Sequence, residues 1–240
     1  MKIPSMEIKK EIYPNQPLVE VVFEIRFPGE PAIESKRYEF YNCIREVYPN
    51  VLVPQIKTGA FPALIPYRFE RSDDSAGTMV AIDKFSYYSR QYPGYEDFKK
   101  EFLRLLVEFN KICNLGKLRR VGWRYVNIIP FTRENGFIPF KRFLNSDLRL
   151  TKDISQEYEN LSLRLVSKSG DCSITTILES TKSSDETREA LLLDFDCSRE
   201  KKLHFSEVEA YIEESHATAR NMFEQMITDD YRKYLRGEKI

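Results

Sequence analysis

Apolar and polar residues first alternate strictly in PLVEVVFEIRFP, residues 17–28. There Val19, Val21, Phe23, Ile25 and Phe27 interleave with Glu20, Val22, Glu24 and Arg26. A period of two in β-branched and aromatic residues, bounded by prolines, predicts a strand with one apolar and one largely charged face. The spacing then changes. Ile33, Tyr38, Phe40, Tyr41, Ile44 and Tyr48 predict a helix over 33–48, stopped at Pro49 and Asn50. Residues 51–66 hold three prolines and a glycine and read mostly as loop. Short strands follow over 66–71, 78–83 and 86–92, with turns at Asp73–Gly77 and Asp83–Lys84, as in an antiparallel meander.

Phe98, Phe102, Leu105, Leu106 and Phe109 recur at three and four, so 95–113 is predicted to be an amphipathic helix, ended by Asn114 and Gly116. RRVGWRYVNIIPF, residues 119–131, is the most apolar strand candidate. A short helix is expected near 140–146. Three more strands are expected over 157–168, 172–180 and 189–197, the first with Leu161, Leu163 and Leu165 inward, separated by Ser169–Asp171 and a polar loop at 181–187. Ser206 and Glu209 have capping-box spacing, with Phe205 as staple. They start a long helix on which Val208, Ile212, Ala219, Phe223 and Met226 share a face. Thr228–Asp230 breaks it and starts a short helix to Leu235.

The predicted order is β-α-β-β-β-α-β, a linker, then β-β-β-α. Sequential antiparallel runs with few helices define an α+β fold, antiparallel sheets with long helices packed on one face. The boundaries fall into an N-terminal lobe over 1–131, a linker over 132–155 and a C-terminal β-β-β-α lobe over 156–240, the whole packed as one unit.

Composition narrows the classes. The 240 residues include 37 basic and 37 acidic side chains. That balance argues against nucleic acid as a partner, which calls for a basic field. The densest basic run, Lys117, Arg119, Arg120 and Arg124, reads as a solvated strand end. Cys43, Cys113, Cys172 and Cys197 lie far apart, with no CxxC pair and no Cys/His cluster, so free and mostly buried thiols in a reducing cytoplasm are expected. No stretch suits a signal peptide or a membrane span.

The chain has no Walker phosphate loop, GxGxxG, GxSxG or HExxH. Only His204 and His216 are present. His216 falls on the apolar seam of the last helix and reads as a helix residue bonded to the sheet rather than as a ligand. Cys197 ends an apolar strand and reads as structural. No catalytic residue, metal ligand or cofactor is assigned.

The candidate binding residues are Glu24, Arg124, Tyr125, Asn127, Asp194 and Asp196. Asp194 and Asp196 share one face of LLLDFDC, roughly 7 Å apart along the strand. They suit a solvated face first, a metal or acid–base pair second. Arg124, Tyr125 and Asn127 are the polar residues within the apolar central strand. An arginine there needs a carboxylate or an anionic ligand. Glu24, Asp194 and Asp196 are the available carboxylates, and an internal salt bridge is the simpler of the two readings.

PLVEVVFEIRF, RRVGWRYVNIIPF, and LLLDFDC followed by FEQMITDDYRKYL together resemble a sporadically distributed prokaryotic family of unknown function and of about this length. Its marks are an early PxxEVxxEIRF-like strand, a central RxGxRYxN segment and a terminal FxxxIT-type helix. Arg120, Gly122, Arg124, Tyr125 and Asn127 match the central segment, with Trp123 where an aliphatic residue is common. The patchy distribution implies accessory genes, including those of mobile or defence loci. The expectation is therefore a non-enzymatic interaction or sensing protein with another protein as partner. The alternatives are a small-molecule binder with a polar pocket between sheet and helix, and a metal-dependent enzyme using the paired aspartates.

Overall fold

The computed structural model of the protein describes residues 12–54, 66–145, 160–182 and 188–238. Nine strands form a single sheet: β1 (Leu18–Arg26), β2 (Asn50–Leu52), β3 (Tyr67–Glu70), β4 (Ala76–Ala81), β5 (Lys84–Ser89), β6 (Leu118–Phe131), β7 (Ser162–Ser169), β8 (Cys172–Lys182) and β9 (Glu189–Leu203). Their spatial order is β2-β3-β4-β5-β1-β6-β9-β8-β7, and every neighbouring pair is antiparallel. The helices are α1 (Ile33–Ile44), α2 (Tyr95–Cys113), α3 (Phe140–Phe143), α4 (Val208–Met226) and α5 (Asp229–Leu235). None of them is long and apolar enough to cross a membrane.

The α+β class with antiparallel pairing matches the sequence pattern, but the expected order and arrangement do not. Among the described residues there is one sheet rather than several. β2 forms inside the stretch expected to be loop, because Val51 pairs with Phe69 at the sheet edge. Long helices do not make up the whole helical layer. Among the described helices only α2 and α4 reach 19 residues, while α1 has 12, α5 has seven and α3 has four. β9 runs on from the expected end at 197 to Leu203, so the chain turns at His204 and the expected Ser206 cap falls inside a 3₁₀ turn. The capping box is His204 with Glu207, whose carboxylate accepts the His204 N–H at 2.7 Å.

β6 and β9 pair from Leu118–Leu203 to Phe131–Glu189, so segments before and after 132–155 share one ladder. Residues 146–155 of the expected linker, 157–159 of the expected strand, 55–65 of the expected loop and 183–187 of the polar loop lie outside the described residues. At the far edge, β7 is the last strand in the sheet order among the described residues. Leu161 and Leu163 are half-buried there, but Leu165, expected inward, is 53% exposed.

Side chains alternate along a strand, so the register decides which residues share a face. Val21, Phe23 and Ile25 stand across from Tyr125, Trp123 and Val121, and Trp123 in turn from Cys197. All of these are buried. Phe102 and Phe98 of α2 meet Phe23 and Trp123 at ring distances of 4.7 and 5.1 Å. Phe40 of α1 meets Phe85 at 5.8 Å, and His216 of α4 meets Trp123 at 5.4 Å. Each such side chain contributes roughly 1.5–3 kcal/mol by leaving water, so this face holds most of the folding energy. The opposite face carries Glu20, Glu24 and Arg26 of β1, Arg120 and Arg124 of β6, and Asp194 and Asp196 of β9.

Candidate functional site

On the charged face, Arg26 stands directly across from Lys84 of β5 on one side and from Arg120 of β6 on the other. Three cations thus sit side by side at the ~4.8 Å strand spacing. Like charges placed directly opposite destabilise a sheet. The row ends on β9 at Glu200. The next row along the strands supplies more countercharge.

Glu24 takes the Arg26 Nε–H at 2.7 Å and an Arg120 Nη1–H at 3.0 Å. Arg120 Nη2 donates to both oxygens of Asp196, at 2.8 and 3.1 Å. Arg120 therefore ties β1 to β9 across its own strand. Gly122 makes this possible. A Cβ at Gly122 would lie 2.8–3.0 Å from the Arg120 guanidinium, which rests where that side chain would be. The R-x-G spacing of the central segment follows from this packing: arginine and glycine share a face, and the glycine leaves a bed for the guanidinium.

Arg124, two residues on, uses Nε and Nη2 on Asp194 at 2.6–3.1 Å. Asp194 is buried while about half of the Arg124 side chain is exposed. This hydrogen-bonded pair holds the Arg124 guanidinium above its ordinary value. Burial pushes the Asp196 carboxyl up, against the pull of Arg120 and Arg124. Arg90 approaches Glu20 at 3.8 Å and Glu70 at 3.6 Å. Glu70 also accepts the Tyr88 hydroxyl. Burial and that carboxylate both push the Tyr88 hydroxyl up.

These side chains surround a concavity of about 290 Å³ on the sheet. Its lining includes six cations (Arg26, Arg68, Lys84, Arg90, Arg120 and Arg124) against three carboxylates (Glu20, Glu24 and Asp196). Its floor includes Val22, Met79 and Gly122. Among the described residues, neither Arg68 nor Lys84 has an ion pair.

The six sequence candidates divide between the faces. Glu24, Arg124 and Asp196 line the concavity, and Asp194 anchors Arg124. Arg124 thus faces a carboxylate and a cavity together, the two situations the sequence left open. Tyr125 and Asn127 point the other way, so the expected pocket of all six between sheet and helix does not form. The Tyr125 hydroxyl meets His216 Nδ1 at 2.7 Å and the Tyr92 hydroxyl at 3.2 Å. His216 also stacks on Tyr95 at 4.0 Å. Asn127 is buried and donates to the Leu193 carbonyl at 3.0 Å. Among the described residues no three His, Cys, Asp or Glu side chains converge as metal ligands. Burial and the neighbouring Cys172 push the Cys197 thiol up to about 12, which disfavours a thiolate nucleophile.

Sequence reasoning missed Arg120, Arg26, Arg68 and Lys84. Arg120 was part of the run read as a solvated strand end, yet only 13% of its side chain is exposed. The available signal was parity. In RRVGWRY, Arg120, Gly122 and Arg124 alternate onto one face, the face opposite Val121, Trp123 and Tyr125. Arg68 and Lys84 come from strands whose pairing with the central segment no local pattern encodes. Compared with known proteins, the chain matches no protein-family model and no curated protein.

Proposed function

We propose that the protein is a non-enzymatic binding or sensing protein whose recognition surface is the charged face of the sheet around Arg120. One observation carries this reading: Lys84, Arg26 and Arg120 stand side by side on three adjacent strands. Such a row costs the fold stability and suits a surface that meets a charged partner. The carboxylates around it support the same reading. Glu24 and Asp196 fix the Arg120 guanidinium before any partner arrives, which lowers the ordering cost of binding.

The concavity favours a small molecule over the protein partner that the sequence put first. A metal-dependent reaction through Asp194 and Asp196 is less well supported, because each carboxylate is already held by an arginine. Service in a mobile or defence locus belongs to the same proposal and rests on the motif resemblance alone.

The test is a thermal-shift panel of anionic, neutral and cationic metabolites on the full chain. It is repeated on Lys84→Ala and Arg68→Ala, with each stabilising compound recovered afterwards. The expected result is a stabilising compound that loses its effect in these variants and is recovered unchanged. Stabilisation indifferent to the variants would sink the assignment of the surface. Chemical conversion of the compound would sink the non-enzymatic reading.

A further inference from the structure

We infer that the concavity takes a small polyvalent oxyanion, a phosphorylated or multiply carboxylated molecule, bound by Lys84 and Arg26 from one side and Arg68 from the other. The inference rests on the charged face being the recognition surface and adds the chemistry of what it recognises.

The first support is the state of the donors. Every carboxylate in the lining already has an arginine: Glu24 has Arg26 and Arg120, Asp196 has Arg120, and Glu20 has Arg90. A cationic ligand would have to displace one of these. The cations are not used up in the same way. Among the described residues Arg26 donates through Nε alone, leaving both terminal nitrogens for an incoming acceptor. The side chains of Lys84 and Arg68 line the cavity with no ion pair among the described residues.

The second support is independent of charge. Ser86 lies on the same face, directly across from Met79 on one side and Glu24 on the other. Met79 in turn stands across from Arg68. The Ser86 side chain is 1% exposed and its hydroxyl has no hydrogen-bond partner among the described residues. A buried donor of this kind is uncommon in a folded protein. It places an unspent neutral O–H in the row between Arg68 and Glu24, next to Met79 of the cavity lining.

Size and field decide the ligand class. A volume of about 290 Å³ lies just under the ~300–1,000 Å³ typical of ligand sites, which suits a small ligand. The chain as a whole balances 37 basic against 37 acidic residues. That balance argues against the extended basic field that holds a nucleic-acid backbone. A single negative charge would answer only one of the three available cations, which is why polyvalence is specified.

Calorimetry on the full chain at matched ionic strength tests this with pyrophosphate, propane-1,2,3-tricarboxylate and acetate. One-to-one binding of pyrophosphate or the tricarboxylate is expected, with acetate at least about tenfold weaker. Preference for pyrophosphate assigns a phosphorylated ligand, and preference for the tricarboxylate a carboxylated one. Lys84→Ala and Arg68→Ala should each weaken binding about tenfold, the scale of one charge-assisted hydrogen bond. Neither should lower the urea midpoint, since neither side chain carries an ion pair among the described residues, and Lys84→Ala should raise it slightly by removing a like charge from the row. Absence of one-to-one binding by both oxyanions overturns the inference, and so does binding that survives both substitutions unchanged. If the thermal-shift panel yields only neutral or cationic compounds that depend on Lys84 and Arg68, the oxyanion falls and the recognition surface stands. If no compound depends on those residues, both fall.

Discussion

Arg120 and Arg124 are two residues apart on one strand face, yet they do different work. Arg120 bridges Glu24 and Asp196 near the surface, whereas Arg124 neutralises Asp194, which is 3% exposed. Arg124→Ala strands that carboxylate without a partner. The expected loss is roughly 2–3 kcal/mol, less than for a fully buried pair because about half of Arg124 is in water. Adding Asp194→Asn should return most of it, and a double-mutant cycle by urea denaturation reads the difference. The glycines give a second contrast. At Gly122 an added methyl meets only the end of the Arg120 side chain, so Gly122→Ala should cost less than about 1 kcal/mol while displacing Arg120. At Gly77 the methyl would lie 2.7 Å from the Phe69 carbonyl oxygen and 2.6 Å from the Tyr88 hydroxyl. Gly77→Ala should therefore cost roughly 2 kcal/mol or more, and paired urea curves distinguish the two sites.

The elements show how the last motif is built. Phe223 and Ile227 bury their side chains at the end of α4, and Ile227 leaves the helix in extended conformation. Thr228 then caps α5, its hydroxyl accepting the Tyr231 N–H at 3.1 Å and donating to the Arg142 carbonyl at 2.9 Å. Thr228→Ala should cost about 1–2 kcal/mol, seen as a lower urea midpoint. α1 and α2 are joined through Tyr48, whose hydroxyl donates to Glu101 at 2.7 Å. Burial acts to raise the Glu101 carboxyl, but hydrogen bonds from Arg104 and Tyr48 outweigh it and hold it below its ordinary value. A carboxyl depressed by folding stabilises above its unfolded value, near 4.3, and loses that contribution as pH falls through the folded one. Stability should therefore decline below about pH 5, and Glu101→Gln should flatten the decline in a urea series across pH. At this scale the sequence was readable where periodicity was strong: β1, α2, β6 and α4 lie close to their expected spans. It was silent on β2, a three-residue strand whose existence depends on Phe69 across the sheet. The site was half legible for the same reason. Local alternation put Glu24, Asp194 and Asp196 on polar faces, whereas only the long-range register brings Lys84 and Arg68 to Arg26.

The whole molecule is organised by the pairing of β6 with β9, which carries one sheet across both halves of the chain. The two expected lobes should therefore unfold together. Trp123, the sole tryptophan and fully buried, reports on the centre. Its fluorescence and the far-UV circular dichroism should give coincident urea transitions. A separate later transition in dichroism would count against that unity. The position of β1 has another consequence. It is translated before the other described strands but lies between β5 and β6, its partners at 84–89 and 118–131. At about 5–20 residues per second, the ribosome exposes this strand for on the order of ten seconds before both neighbours have been made. A β-branched and aromatic segment waiting that long invites aggregation. Glu20, Glu24 and Arg26 interrupt it, as gatekeeper charges do. The charges that line the concavity of the finished protein thus also keep β1 soluble during synthesis.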